Sequence, residues 1–250
     1  MKGLLSALYS AVVYLVFLAV FLYLVGFVEG LVVPKAIDSG AVGALLPTLA
    51  VDLSLVFLFG IQHSIMARPG FKRVWTRIVP DASERSTFVL VASLVLALLC
   101  WQWRPLPQPV WSIENPVAAG AVMALSWLGW GLVLLSTYLI SHFQLFGLSQ
   151  GFARLLGREV KDGPFVTPLV YRWIRHPLYT GFLVAFWAAP QMSLGRLVFS
   201  VAMTLCVLAG IAFEERDLIA QFGTRYLQYR ERTGMLLPRL WAKSRRTAGV

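Results

Sequence analysis

Charge is what this sequence has least of. Only 14% of its 250 residues are Asp, Glu, Lys or Arg, against 58% that are hydrophobic. That balance excludes an ordinary soluble domain and points to a polytopic membrane protein. The two cysteines, Cys100 and Cys206, both fall inside apolar runs, which excludes a disulfide framework and any metal-ligand spacing. There is no internal repeat and no low-complexity tract. The chain therefore reads as one membrane domain over residues 1–250, with no metal.

What the sequence does have is long apolar runs. Residues 5–29, 42–66, 87–103 and 117–146 each come close to the ~20 residues that cross a hydrocarbon core. A fifth stretch, 178–213, is too long for one crossing. It is broken by Pro190 and by Ser193-Leu194-Gly195-Arg196, so it predicts a helical hairpin. Its first arm, 178–190, is too short to need a square crossing. In the block from Glu214 to Pro238, the residues Leu218, Phe222, Tyr226 and Tyr229 recur at helical spacing opposite Arg216, Gln221, Arg225 and Arg230. The expected fold is an all-α integral membrane protein. Four long transmembrane helices (within 1–170) precede a C-terminal helical hairpin and a cytosolic amphipathic helix (171–238), with a basic tail at 239–250.

Nineteen of the twenty-two Lys and Arg residues fall on one side of that topology, and only Lys35, Arg104 and Arg196 on the other. The positive-inside rule places both termini in the cytoplasm. The first run is too long for a signal-peptide core and predicts an anchoring helix. Trp101, Trp103 and Trp111 flank the outer loop, and Trp75 and Trp173 the inner ones, as interfacial anchors. The net charge of +10 follows from topology and attraction to anionic lipid headgroups, and requires no nucleic acid.

Charges beside a bilayer are costly unless solvated, paired or bound. Here Arg175-His176-Pro177 opens the hairpin and Glu214-Glu215 closes it, an arrangement of both signs that suits a zwitterionic ligand. His63 and His142 lie near the cytoplasmic ends of their spans, each a candidate base or an ordinary donor to a helix carbonyl. Gln62 and Gln144 are placed to orient these rings. Asp52 precedes His63 by eleven residues, about 16 Å along one helix face, near the membrane midplane. Such an acid is a functional candidate, or else is paired across spans or protonated. Glu84-Arg85 stands at the entrance to the third span, where it can cap a pocket or pair with its walls. The other cations from Arg68 to Arg77 read as topology, and Glu29 as solvated at the outer boundary.

Arg175-His176-Pro177-x-Tyr179-x-Gly181, a hairpin, Glu214-Glu215 and then Phe222-Gly223-x-x-Tyr226-x-x-Tyr229 together resemble the isoprenylcysteine carboxyl methyltransferase superfamily, which includes phospholipid N-methyltransferases and NnrU-type proteins. GIQHSIMARPGFKRVWTRIVP-x-x-x-ERST (Gly60 to Thr87) and HFQLFGLSQ (His142 to Gln150) resemble, more narrowly, the bacterial methanethiol S-methyltransferases. The resemblance implies a bacterial inner-membrane enzyme that moves a methyl group from S-adenosylmethionine to a small volatile thiol. Methanethiol would give dimethyl sulfide, hydrogen sulfide would give methanethiol, and S-adenosylhomocysteine is the other product. In that light Arg175 or His176 meets the cofactor carboxylate, and Glu214 and Glu215 meet its ammonium and ribose hydroxyls. Pro177 turns a helix N-terminus toward the anionic end. Gly181 lets the ligand approach the backbone, and Tyr179 is a site member or an interfacial anchor. The catalytic candidates are His63, His142, Asp52, Glu84 and Arg85. The alternatives are methylation of a lipid-linked carboxylate or amine, or a non-catalytic carrier or scaffold. Oligomeric state stays open.

Overall fold

A computed structural model describes residues 1–158, 160 and 164–239; Lys161 and the tail at 240–250 lie outside the described residues. Ten helices follow in order: α1 (Lys2–Glu29), α2 (Leu45–Met66), α3 (Pro69–Trp75), α4 (Asp81–Gln102), α5 (Pro116–Ile140), α6 (His142–Leu145), α7 (Leu148–Leu155), α8 (Pro177–Trp187), α9 (Leu194–Phe222) and α10 (Thr224–Arg232). Two short strands, β1 (Pro109–Ser112) and β2 (Gln191–Ser193), pair antiparallel. Five helices, α1, α2, α4, α5 and α9, are long and apolar enough to cross a membrane. The protein is an all-α, multi-pass membrane protein.

Its surface and interior are chemically inverted relative to a soluble bundle. Leu4, Leu8, Leu15 and Leu22 of α1 face outward, while Ser10, Thr48, Ser86, Ser93, Ser126, Ser136 and Ser200 are buried. Between lipid-solvated helices no hydrophobic drive remains, so small residues and interhelical hydrogen bonds hold the contacts. The Ser10 and Ser86 hydroxyls meet at 2.8 Å. The tightest approach joins α5 to α8. A Cβ on Gly129 would lie 2.7 Å from the Gly181 carbonyl oxygen, and one on Gly181 would lie 2.7 Å from that of Gly129. Gly181 therefore admits the neighbouring helix α5 at close range, a packing role that the sequence expectation did not include.

Other expectations need revision at element ends. The fourth span stops at Ile140, not near 146, because Ser141 takes φ 124° and turns the chain. His142 consequently sits on a folded-back turn outside the span. The third span starts at Asp81, six residues early, with Asp81 and Glu84 in a first turn that favours acids. The amphipathic block is two helices. Helix α9 continues through Glu214 and Glu215 to Phe222, Gly223 at φ 56° breaks it, and α10 follows. The chain then returns alongside the approach to α8: Gly234 N–H donates to Trp173 O, Arg175 N–H to Gly234 O and His176 N–H to Met235 O.

The hairpin forms where predicted. Helix α8 is only 11 residues long. Extended residues then carry the chain to β2, and the Ser193 hydroxyl caps α9 by accepting from Arg196 N at 3.0 Å. A helix ending inside apolar surroundings strands its last carbonyls, at a cost of several kcal/mol each if unmet (~2–7). Arg196 meets them. Its guanidinium donates to Val28 O at 2.8 Å, Ala185 O at 3.3 Å and Phe186 O at 3.5 Å. Ser200 Oγ adds a bond to Phe186 O at 3.0 Å. Glu29 Oε1 stands 3.8 Å from Arg196 and accepts from Trp130 Nε1 at 2.9 Å and Ser126 Oγ at 2.7 Å. Glu29, expected to be solvated, has only 1% of its side chain exposed.

The main core, around Phe27, Leu99, Trp103, Trp130, Phe186 and Phe199, fills this hairpin end. A smaller cluster of Val13, Met66, Phe88 and Val89 serves the opposite, basic end, where α3, α7 and α10 lie. The thinner packing there leaves room for a site.

Candidate active site at the basic end

The Arg-His-Pro segment reaches its place through a 3-10 turn, Leu169–Arg172. His176 then becomes the N-cap residue of α8 and Pro177 its first helical residue, where a missing N–H costs nothing. Across from it, α9 presents two consecutive glutamates about 100° apart on the helix. Their surroundings differ. Glu215 Oε1 accepts from Arg175 Nε at 2.7 Å and lies 3.2 Å from His176 Nε2, while Oε2 is 3.8 Å from Arg230 Nη1. Held by two arginines and a histidine, its side chain is 13% exposed. Glu214 has only His176 Nδ1, at 3.9 Å, and keeps 43% exposure.

Arg175 is also committed. Besides Glu215 it donates from Nη1 to the carbonyls of Arg230 (3.2 Å) and Thr233, tying the returning segment to the turn. A cleft of about 420 Å³ opens beside it, lined by Arg175, Glu215, Arg230, Thr233, Gly234, Met235 and Arg239. The geometry thus makes Arg175, His176 and Glu215 a braced wall and leaves Glu214 facing outward from it.

What Glu214 faces comes from α2, α4 and α8. His63 lies on the inward stripe of α2 with Thr48, Asp52, Val56 and Met66, which are all buried. His63 itself stays exposed, although its ring stands between Phe59 (5.5 Å) and Phe88 (5.1 Å) and has Arg68 and Arg85 for cationic neighbours. The ring thus combines an accessible surface with a place on the buried stripe. Arg85 completes the wall: Nε donates to Leu145 O at 2.7 Å and its guanidinium lies 5.1 Å from the Phe88 ring centre. Glu84, Glu214 and Tyr179 are the titratable groups around Arg85. Tyr179 is half-buried beside Glu214, Arg68 and Tyr171. The mouth is bordered by an ion pair, Arg68 Nη1 to Asp217 Oδ2 at 2.8 Å.

The structure therefore brings together His63, Arg85, Tyr179, Glu214, Glu215, His176, Pro177 and Arg175, with Glu84 next to Arg85. Two candidates stand apart. Asp52 is fully buried seven residues into α2 from the hairpin end and accepts at Oδ1 from Arg104 N–H at 2.9 Å, just past the end of α4. His142 has both ring nitrogens occupied, Nε2 by Tyr14 OH and Nδ1 by Thr137 Oγ1, each at 2.8 Å, and stacks on Tyr138 at 4.3 Å. Burial lowers its pKa. Its ring is oriented by these hydroxyls and not by glutamines, since Gln62 Nε2 donates instead to Met66 Sδ at 3.1 Å.

One residue escaped the sequence reading. Tyr226 was assigned to an apolar helix face, yet its hydroxyl is buried without a hydrogen-bond partner, beside Glu215, Arg175 and Glu214. Burial raises its pKa, Glu215 and Glu214 adding to the effect and Arg175 opposing it. The advance signal was its place in the Phe222-Gly223-x-x-Tyr226-x-x-Tyr229 element of the family resemblance, which did not by itself separate a site tyrosine from a packing one.

No family model matches the chain, and no solved structure does. Among curated proteins, methanethiol S-methyltransferase 2 of Bradyrhizobium diazoefficiens is 51% identical over 238 residues, 95% of this chain and 92% of that protein. Methanethiol S-methyltransferase of Mycobacterium tuberculosis is 48% identical over 238 residues, 95% of this chain and 98% of that protein. Nurim of Xenopus laevis is more distant, 29% identical over 169 residues, 63% of this chain and 58% of its own length.

Proposed function

The chain belongs to the methanethiol S-methyltransferase family, and we propose that it moves a methyl group from S-adenosylmethionine to methanethiol, giving dimethyl sulfide, on the cytoplasmic side of a bacterial inner membrane. One observation carries the reading. Glu214 keeps a part-exposed carboxylate near Arg85 and Tyr179, with His63 also close to Arg85, while its neighbour Glu215 is held by Arg175, His176 and Arg230.

The residues fit a zwitterionic nucleoside cofactor. Glu214 is an accessible acceptor for an ammonium or for ribose hydroxyls, and the Tyr226 hydroxyl is a buried donor lacking a partner. The N-terminus of α8, which no side chain caps, and the adjacent His176 suit the cofactor carboxylate. S-adenosylmethionine, when bound, supplies an electrophilic methyl on a sulfonium and is left as S-adenosylhomocysteine.

The acceptor has to be activated, because the thiolate and not the thiol is the nucleophile. Neither ring nitrogen of His63 is hydrogen-bonded to a protein group among the described residues, so one is free to take the S–H proton. Arg85 stabilises the anion that results. Phe59 and Phe88 keep water from the reacting sulfur, which favours a step in which opposite charges cancel. The cytoplasmic assignment rests on the positive-inside reading of the sequence, which puts nineteen of twenty-two Lys and Arg on one side, where a charged cofactor is available. Hydrogen sulfide is the second acceptor to test.

The decisive measurement is headspace detection of dimethyl sulfide from the full chain purified in detergent, given methanethiol and S-adenosylmethionine. Product formation that requires both supports the reading. Absence of product across a panel of thiols, with no calorimetric binding of S-adenosylmethionine, overturns it.

A further inference from the structure

A second cleft of about 330 Å³ lies on the other side of Thr233 from Arg175. One wall is a single face of α10, where Arg225, Gln228, Tyr229 and Arg232 follow at spacings of three, one and three. Phe165, Thr167 and Arg172 form the opposite wall. Three exposed arginines thus line one small space. Among the described residues none of the three has a carboxylate within 4.0 Å, whereas Arg230, one residue from Tyr229, is turned to Glu215. Like charges held this close repel one another unless an anion joins them.

The cleft is also braced in a way that a solvated charge run is not. The Arg225 guanidinium lies 5.7 Å from the Phe165 ring centre, a cation–π distance that fixes its direction. Tyr229 donates from its hydroxyl to Tyr171 O, joining α10 to the turn that carries Arg172. Burial lifts the Tyr229 pKa to about 12, Arg175 opposing and Glu215 adding to the effect, so the wall bears no negative charge of its own near neutrality. Planar guanidiniums offer paired N–H donors that match phosphate oxygens, and Thr167 and Gln228 add neutral donors.

We propose that the cleft bounded by Arg172, Arg225 and Arg232 is a binding site for a phosphate group, carried either by an anionic phospholipid headgroup or by a free phosphate. The cleft is separate from the methyl-transfer site and does not depend on its chemistry. It would anchor α10, and through Thr233 the returning segment that Arg175 holds.

The test uses the full chain in a neutral detergent, titrated in separate arms with short-chain phosphatidylglycerol and with inorganic phosphate. At least one probe binds the wild type. Replacing Arg172, Arg225 and Arg232 together by Ala should weaken that probe on the order of a hundredfold, with S-adenosylmethionine affinity retained. Gln228→Glu, which adds an acid to the cleft without removing a packed side chain, should weaken it about tenfold. Binding of the lipid without competition by phosphate identifies a headgroup, and equal binding of phosphate identifies a free anion. The proposal fails if neither probe binds, if Gln228→Glu binds like the wild type, or if S-adenosylmethionine affinity falls in parallel.

Discussion

The two ends of the bundle use the same side chains to opposite ends. At the hairpin end Arg196 and Glu29 are both nearly inaccessible, and every guanidinium branch has a carbonyl or carboxylate partner. At the basic end Arg175 and Glu215 are similarly closed, but Glu214, His63 and the Tyr226 hydroxyl lack full partners. Buried atoms without a partner occur at both ends among the described residues, Glu29 Oε2 and Asp52 Oδ2 at the hairpin end and the Tyr226 hydroxyl at the basic end. What sets the basic end apart is that Glu214 and His63 combine open bonding with exposure.

Five substitutions test that division. Arg196→Ala has the largest expected effect. It strips donors from Val28, Ala185 and Phe186 and leaves the Glu29 carboxylate buried alone, at about 3–5 kcal/mol. Little folded protein should survive size-exclusion in detergent. A normal yield would show that the closed end is dispensable.

His63→Ala acts on chemistry instead. Turnover near neutral pH should drop about a hundredfold and recover as rising pH ionises the thiol unaided. A loss equal at every pH would reassign His63 to positioning. Third, Glu214→Ala should weaken S-adenosylmethionine about tenfold in calorimetry while leaving the melting temperature in place. Glu215→Ala should lower both, because it releases Arg175 and His176. Identical behaviour of the two variants would erase the distinction between wall and site.

The smallest effect concerns His142. Burial depresses its pKa below the ordinary 6.5, so the folded ring stays neutral where an unfolded one takes a proton. Below that pH the unfolded state binds more protons, and stability falls as pH falls. His142→Gln should flatten the decline in melting temperature below pH 6.5 by a few degrees (~2–4). An unchanged slope would mean that other groups set it.

Much of this was legible in the chain. Apolar length gave the spans, Pro190 and Ser193 gave the hairpin, and the Arg-His-Pro and Glu-Glu elements gave the site's neighbourhood. What stayed hidden depends on partners distant in sequence. Glu29 looked solvated because Arg196, its counterion 167 residues later, shows no link to it by spacing. The packing role of Gly181 went unseen because Gly129 sits on another helix. Asp52 and His142 matched the chemistry of a site, and only the fold shows that Asp52 lies toward the hairpin end on the Arg104 amide and that both His142 nitrogens are taken by the Tyr14 and Thr137 hydroxyls. Glu214 and Glu215 are adjacent letters, and nothing short of three dimensions assigns them different duties.

The order of biosynthesis gives the bonds between residues 173–176 and 233–235 a further meaning. Those last partners leave the ribosome only after all five long helices have been made. A nascent polypeptide extended only through α9 would have its glutamates and histidines but no backing behind Arg175. The wall around Glu215 would then be completed after the lipid-embedded helices, and not along with them.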